Sequence, residues 1–213
     1  PETYAAYGEG MRSMQRHMQN LQFSLDFTQG QSHWQLEEVA VPDDMEEKMY
    51  YQTAVIIATE AKSEYFTDLT KDERMFRANL NGGFVNVLKN SNKYTWTITG
   101  EEKCVGGRTL YEATTQEEQT DNKGDEMIKK ISAWYTPDIP VPFGPSGYDG
   151  LPGLILEVKF GDEQNAGFEA AIIEFDSNAK AKILKKPKAL GEMTEAEYDQ
   201  YYLDSYKRGS GRN

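Results

Sequence analysis

Three carboxylates bracket one short stretch of the chain: Asp138, Asp149 and Glu157. If the fold brought them together they would bind a cation or divide into a general acid and a general base, provided their surroundings split their pKa values. Each also has a plainer use, since Asp138 beside Pro137 suits a turn cap and Asp149-Gly150 is an ordinary turn pair. The 2 histidines, His17 and His33, fall in different elements and make no HExxH spacing, so a zinc site built on them would need carboxylates to complete it. Cys104 is the sole cysteine, so no disulfide forms within the chain. Its thiol would need a base or a cation to become a nucleophile, and Lys103, its neighbour in an extended segment, points to the opposite face. Gly144-Pro145-Ser146-Gly147 lacks the spacing of a nucleophile elbow. Asp121, Asn122, Asp125 and Glu126 offer oxygen ligands without the twelve-residue pattern of a calcium loop. These residues lead us to expect no catalytic set, no metal site and no cofactor.

The segment that holds the carboxylates is more informative than the carboxylates. From Ala133 to Val158 the chain reads AWYTPDIPVPFGPSGYDGLPGLILEV. Each X-Pro step biases the preceding residue toward extended geometry, and the glycines supply backbone angles that other residues avoid. Such a segment is a fixed, shaped connection. Leu151-Pro152-Gly153-Leu154 has proline and glycine at the central positions of a type II turn. Beyond it, Leu154, Leu156 and Val158 alternate with Ile155 and Glu157. Two readings stand. The segment is a rigid strand connection whose Trp134 and Tyr135 plug one end of the core, or it is the rim of a cleft walled by Trp134, Tyr135, Phe143, Tyr148, Leu151 and Pro152.

Helices and strands must position this loop. Tyr4, Tyr7, Met11, Met14 and Met18 recur at helical spacing in the first twenty residues. Leu21, Phe23, Leu25 and Phe27 alternate as a half-buried strand, and Ser32–Glu37 returns after a turn at Gln29-Gly30-Gln31. Asp43 or Asp44 can cap a helix with Glu46 and Glu47 in its first turn. We take the helix through about Ala58, although the β-branched run inside YYQTAVIIATEA also suits a strand. Extended runs follow at Ser63–Leu69, Arg74–Asn79, Phe84–Leu88, Tyr94–Thr99, Arg108–Thr115 and Glu126–Thr136, separated by turn formers. Leu154–Gly161 and Gly167–Asp176 form a hairpin around Asp162–Ala166. At the C-terminus Thr194 and Glu197 make a capping box, and Tyr198, Tyr201, Tyr202 and Tyr206 line one helix face. The pattern is α+β: a mostly antiparallel, curved meander, open to half-barrel curvature, with N-terminal and C-terminal helices. We expect one domain over residues 1–208 and a disordered tail over residues 209–213.

Composition limits the partners. The chain has 213 residues and a formal net charge of −12, which disfavours nucleic acid and anionic membrane surfaces. No apolar run reaches the length of a membrane-spanning helix. Aromatic residues, at 12%, carry enough buried area to offset a modest apolar content of 38%.

Trp134-Tyr135-Thr136, Ile139-Pro140, Gly144-Pro145 and above all Gly150-Leu151-Pro152-Gly153-Leu154-Ile155-Leu156-Glu157 resemble the signature of the GLPGLI family of exported bacterial proteins. Gly107–Thr114 resembles that family's glycine-led strand, except that many members carry a cysteine near the position of Leu110. The resemblance covers residues 94–160 and implies export, with a signal peptide removed, to the periplasm, outer envelope or exterior. It implies no catalytic residue. The topology also resembles the half-barrel of LolA-like lipoprotein carriers, which implies an acyl-binding concave face. The expected function is therefore that of a non-enzymatic exported module binding an apolar small molecule, a lipid or a protein partner. The alternatives are a carboxylate-based hydrolase or metal-assisted enzyme, and a structural assembly component.

Overall fold

A computed structural model of the chain describes residues 2–80, 82–90, 94–120, 125–161, 166–175 and 183–209. Helix α1 (Glu2–Asn20) leads into the hairpin β1 (Phe23–Phe27) and β2 (Gln31–Leu36), then helix α2 (Met45–Thr59). A meander of β3 (Lys62–Asp68), β4 (Glu73–Leu80) and β5 (Gly83–Leu88) follows. Next come β6 (Thr97–Val105), β7 (Arg108–Thr120), β8 (Glu126–Thr136), β9 (Leu154–Phe160) and β10 (Ala166–Glu169). The short strand β11 (Gly191–Thr194) and helix α3 (Glu195–Gly209) close the described chain.

The α+β class and the two terminal helices agree with the sequence. The strands, however, divide between two open sheets. One has the order β1-β2-β3-β4-β5-β11, the other β10-β9-β8-β7-β6. Among the described residues all pairings are antiparallel except that of β11 with β5, which is parallel. Neither sheet closes into a barrel. Strand alternation reports which residues face inward, but it is the same for one curved sheet as for two.

Helix α2 begins as expected, with the Asp44 carboxylate accepting from the backbone N–H groups of Glu46 and Glu47. Helix α1 lies against it, but on a face rotated from the expected tyrosine–methionine stripe. Gly10 lies so close to the Tyr50 ring that a Cβ there would sit 2.7 Å from its hydroxyl oxygen. Ser13 Oγ donates to Glu47, and His17 Nε2 is 2.9 Å from the same carboxylate. Met11 points outward instead. The small residues at 10 and 13 allow a close approach that methionines would prevent.

At the C-terminus the capping box forms, with Thr194 N–H donating to Glu197 and Glu197 N–H returning to Thr194 Oγ. Tyr198 is buried against Phe76, whereas Tyr202 is half exposed. The side chains of Tyr4, Tyr7 and Tyr206 lie outside the described residues, as do the tail beyond Gly209 and the turns at Asn81, Ser91-Asn92, Asp121–Gly124 and Asp162–Asn165.

Candidate functional site

The Pro/Gly loop lies in the seam between the two sheets. Phe143 is buried among Ile139, Val141 and Leu154, with Leu25 and Phe27 of β1 packed against the same cluster. Tyr148 and Leu151 are buried with Ala133, Tyr135, Ile155 and Val158 of the second sheet. The loop therefore adds side chains to the core on both sides of the seam.

Its prolines act through a tighter turn than the one expected. Val141 N–H donates to Ile139 C=O at 2.8 Å, and Gly153 N–H to Leu151 C=O at 2.9 Å. Both are three-residue γ-turns centred on proline, whose fixed φ matches the inverse form. Gly153 does not take the left-handed φ of a type II turn. It is required for space: a Cβ there would fall 2.2 Å from the Thr136 carbonyl oxygen. Gly147 combines both needs, with φ +72° and a Cβ position 2.3 Å from the Tyr65 ring.

The expected wall residues are distributed over three environments. Tyr135, Phe143, Tyr148 and Leu151 are buried in the core, and Pro152 is exposed. Trp134 is half buried on the outer face of the second sheet, with the Lys103 ammonium 4.2 Å from its ring centroid. Alternation along β8 produces this split: Ile131, Ala133 and Tyr135 face the core cluster and Trp134 the opposite side. The facing strand β9 carries a bulge. Trp134 pairs with Glu157 but Tyr135 pairs with Ile155, which leaves Leu156 unmatched. The bulge breaks the simple alternation expected for Leu154–Val158, because Leu154 and Leu156 join one cluster and Ile155 and Val158 the other.

The three carboxylates each find their own cation. Asp138 is 3.8 Å from Arg108, Asp149 is 2.6 Å from Arg74 of β4, and Glu157 pairs with Lys103 and Lys159. Among the described residues no group of three His, Cys, Asp or Glu side chains could hold a metal ion. Cys104 is exposed on the outermost strand β6. His33 faces Glu64, which also pairs with Arg77.

At the loop tip a narrow cleft, with room for little more than a water molecule, is lined by Ser146 and Tyr148 with Tyr65, Phe76 and Tyr94, and by the charged Glu60, Lys62, Lys89, Glu117 and Glu195. Two of its residues, Glu60 (φ +51°) and Ser146 (φ +55°), hold the left-handed backbone that non-glycine residues avoid. The residue types are those of acid–base chemistry, but their ionisation is driven away from neutrality. Burial pushes the Lys62 ammonium down, yet Tyr65, Glu60 and Glu117 outweigh it, and the pKa ends above the usual lysine value. Burial pushes Glu60 up, and Lys62 and Lys129 reverse that and hold it below the carboxylate range. Burial raises the phenols of Tyr65, Tyr94 and Tyr148 above the ordinary tyrosine value. These groups keep one protonation state near pH 7, which suits an electrostatic clasp between loop, helix and strands rather than proton transfer.

A different surface stands out on α2. The face turned away from α1 exposes Met45 by 85%, Met49 by 54% and Ile56 by 57%. The opposite face is occupied: Ala54 is buried, and Glu47 and Tyr50 meet α1. Ile56 and Ile57 carry the carbonyls that cap the helix end at Glu60, and Glu60 is bridged to Lys129 of β8, beside the exposed Met127 and Ile128. Sequence reasoning recognised this helix but not its exposed face. The available signal was the recurrence of Met45, Met49, Gln52 and Ile56 on one side of the helix while Glu47, Tyr50 and Ala54 fill the other. Among the described residues no helix is long and apolar enough to cross a membrane.

A family described as "Protein of unknown function (Porph_ging)" matches residues 112–157, about a fifth of the chain, spanning β7 to β9 and the loop. That match names no activity. Comparison with curated proteins finds no match. No solved structure matches either, so the likeness to lipoprotein-carrier half-barrels has no support.

Proposed function

We propose that this chain is an exported, non-catalytic assembly domain that docks a protein through the outer face of α2. The observation that carries the reading is that face: three large apolar side chains, Met45, Met49 and Ile56, each more than half exposed on one side of a 15-residue helix. Exposed apolar surface gathered on one element marks interaction sites, and flexible methionines adapt well to a protein surface. The filled seam supports the choice of a protein over an apolar small molecule or lipid, because Phe143, Tyr148 and Leu151 occupy the space such a ligand would need. Export rests on the resemblance of Gly150–Glu157 to an exported family, and fractionation of the native host tests it: recovery of the chain in the cytoplasm would refute export.

The docking claim is tested by placing a photo-crosslinking residue at Met49 in the native host. A discrete adduct is expected, and it should disappear on adding Ile56→Glu. Labelling no stronger than at the exposed control position Glu38 would refute docking.

A further inference from the structure

We propose that the outer face of the first sheet is a groove for an extended segment of another protein, and that residues 183–190 of this chain fill it as a displaceable stand-in. Phe66, Met75 and Leu88 stand side by side on β3, β4 and β5. They lie on the face opposite to Tyr65, Phe76 and Val87 of the core. Leu184 is buried among them. The segment that carries it has no regular secondary structure and is gripped by side chains. Leu184 N–H donates to Gln31 Oε1 at 3.0 Å, and Asn86 Nδ2 donates to the Pro187 carbonyl at 3.0 Å. The Lys186 ammonium pairs with Glu73 and, at 2.6 Å, with Glu192. Backbone pairing with β5 begins at Leu190, whose N–H donates to Phe84 C=O. An apolar pocket, side-chain amides on the backbone and two carboxylates for a cation are the contacts with which a groove reads an extended peptide.

Pro187 makes the resident segment an imperfect fit. An extended residue presents its N–H and C=O along the same edge, so a side-chain amide can bond to both. Pro187 has no N–H to give. Among the described residues Asn86 Oδ1 has no hydrogen-bond partner, although Asn86 is only 3% exposed. Arg77 Nε, on the residue paired with Asn86, is likewise buried without a partner among the described residues. Leaving such groups unpaired costs free energy that a better ligand recovers. The groove therefore favours a segment with an apolar residue, a lysine or arginine two positions on, and then a residue other than proline. A second copy of this chain offers the same proline, so the preferred occupant is a different protein. The resident segment is tethered, at an effective concentration on the order of mM, and masks the groove until such a segment displaces it.

The test uses two fluorescent peptides, ILKKPKAL with the sequence of residues 183–190 and the same peptide with alanine for its proline. Both are titrated into the full chain and into its Leu184→Ser variant. Leu184→Ser weakens the resident segment, so both peptides should bind that variant at least about tenfold tighter than the unaltered chain. The alanine peptide should lead by about fivefold, the worth of one net hydrogen bond. Adding Asn86→Ala should erase that lead. Hydrogen exchange at Ala133 checks that each variant keeps its sheets. If Leu184→Ser loosens the fold, Pro187→Ala in the otherwise unaltered chain decides. Exchange of the Leu184 N–H should then slow about fivefold, and the slowing should vanish when Asn86→Ala is added. Failure of both peptides to bind a Leu184→Ser chain with intact sheets, equal binding of the two, a lead that survives Asn86→Ala, or unchanged Leu184 exchange in Pro187→Ala overturns the proposal.

Discussion

Removing the carboxylate of Asp149 should loosen the joint between the two sheets. Its oxygen accepts from Arg74 Nε at 2.6 Å, the two side chains are only 10% and 14% exposed, and its backbone carbonyl accepts from Trp96 Nε1 at 2.8 Å. Asp149→Ala keeps the backbone contact but leaves the guanidinium without its buried partner. Breaking a buried pair costs about 3–5 kcal/mol. Arg74 retains Asp72 at 2.8 Å, and that carboxylate is 70% exposed, so it offers little compensation. We therefore expect about 3 kcal/mol, or roughly 6–12 °C in thermal midpoint for a domain of this size. The assay is urea and thermal unfolding of Asp149→Ala, Arg74→Met and the double variant. The double should cost less than the two singles together by about 2 kcal/mol, because each single change strands a buried group while the double strands none. A loss below about 1 kcal/mol in Asp149→Ala, or strict additivity, would refute the seam's dependence on this pair.

Gly153→Ala, which drives a methyl into the Thr136 carbonyl, should destabilise by more than about 3 kcal/mol or prevent folding, and unchanged unfolding would remove the close-approach argument. Trp134→Ala should cost only about 1–2 kcal/mol, since its half-buried ring loses area and the Lys103 contact but leaves no core cavity; a loss above about 4 kcal/mol would place it in the core. Stability should fall in acid. The Asp68 carboxyl is held at about 2, first by the Thr70 hydroxyl and then by Gln31 and Lys71, against an ordinary value of 3.8. Glu157 is lowered too, because Lys103 and Lys159 outweigh its burial. The folded state favours both ionised forms, so their contribution is complete above the ordinary carboxylate range and is lost as pH falls toward 2. Urea midpoints at pH 7, 4 and 2.5 should decline in that order, and Asp68→Asn should flatten the drop below pH 4; a flat profile in the unaltered chain would contradict it.

Local signals in the sequence carried most elements. Asp44, Thr194 and Glu197 cap where their side chains can reach free N–H groups, and Glu126–Thr136 has the limits that its flanking turn and proline impose. What the sequence hid was set by contacts between distant residues. Whether the strands formed one sheet or two depended on how β5 and β6 separate, and neither strand's alternation records that. The parallel pairing of β11 with β5 rests on four residues, Gly191–Thr194, too few to show a period. The α1 stripe rotated because Gly10 admits Tyr50, a contact forty residues away in the chain. In the loop, prolines and glycines announced rigidity, but the bulge at Leu156 divided Leu154–Val158 between two clusters, and bulges have no reliable residue code. The opposite faces of Trp134 and Tyr135 were legible, because neighbours in a strand alternate. The exposed α2 face was concealed by composition: Met45, Met49 and Ile56 look like core residues until the other face of the helix is seen to be occupied.

The central claim is that the Pro/Gly loop belongs to the core and joins the sheets. Hydrogen exchange of the full chain tests it directly at Gly150, Leu154 and Ile155, whose N–H groups donate to Pro142, Ile139 and Phe143. The account predicts that these amides exchange as slowly as those of Ala133 and Val158 in the paired strands, opening only with the whole domain. Exchange at loop rates while the strands stay protected would contradict it, and would place residues 137–153 outside the core.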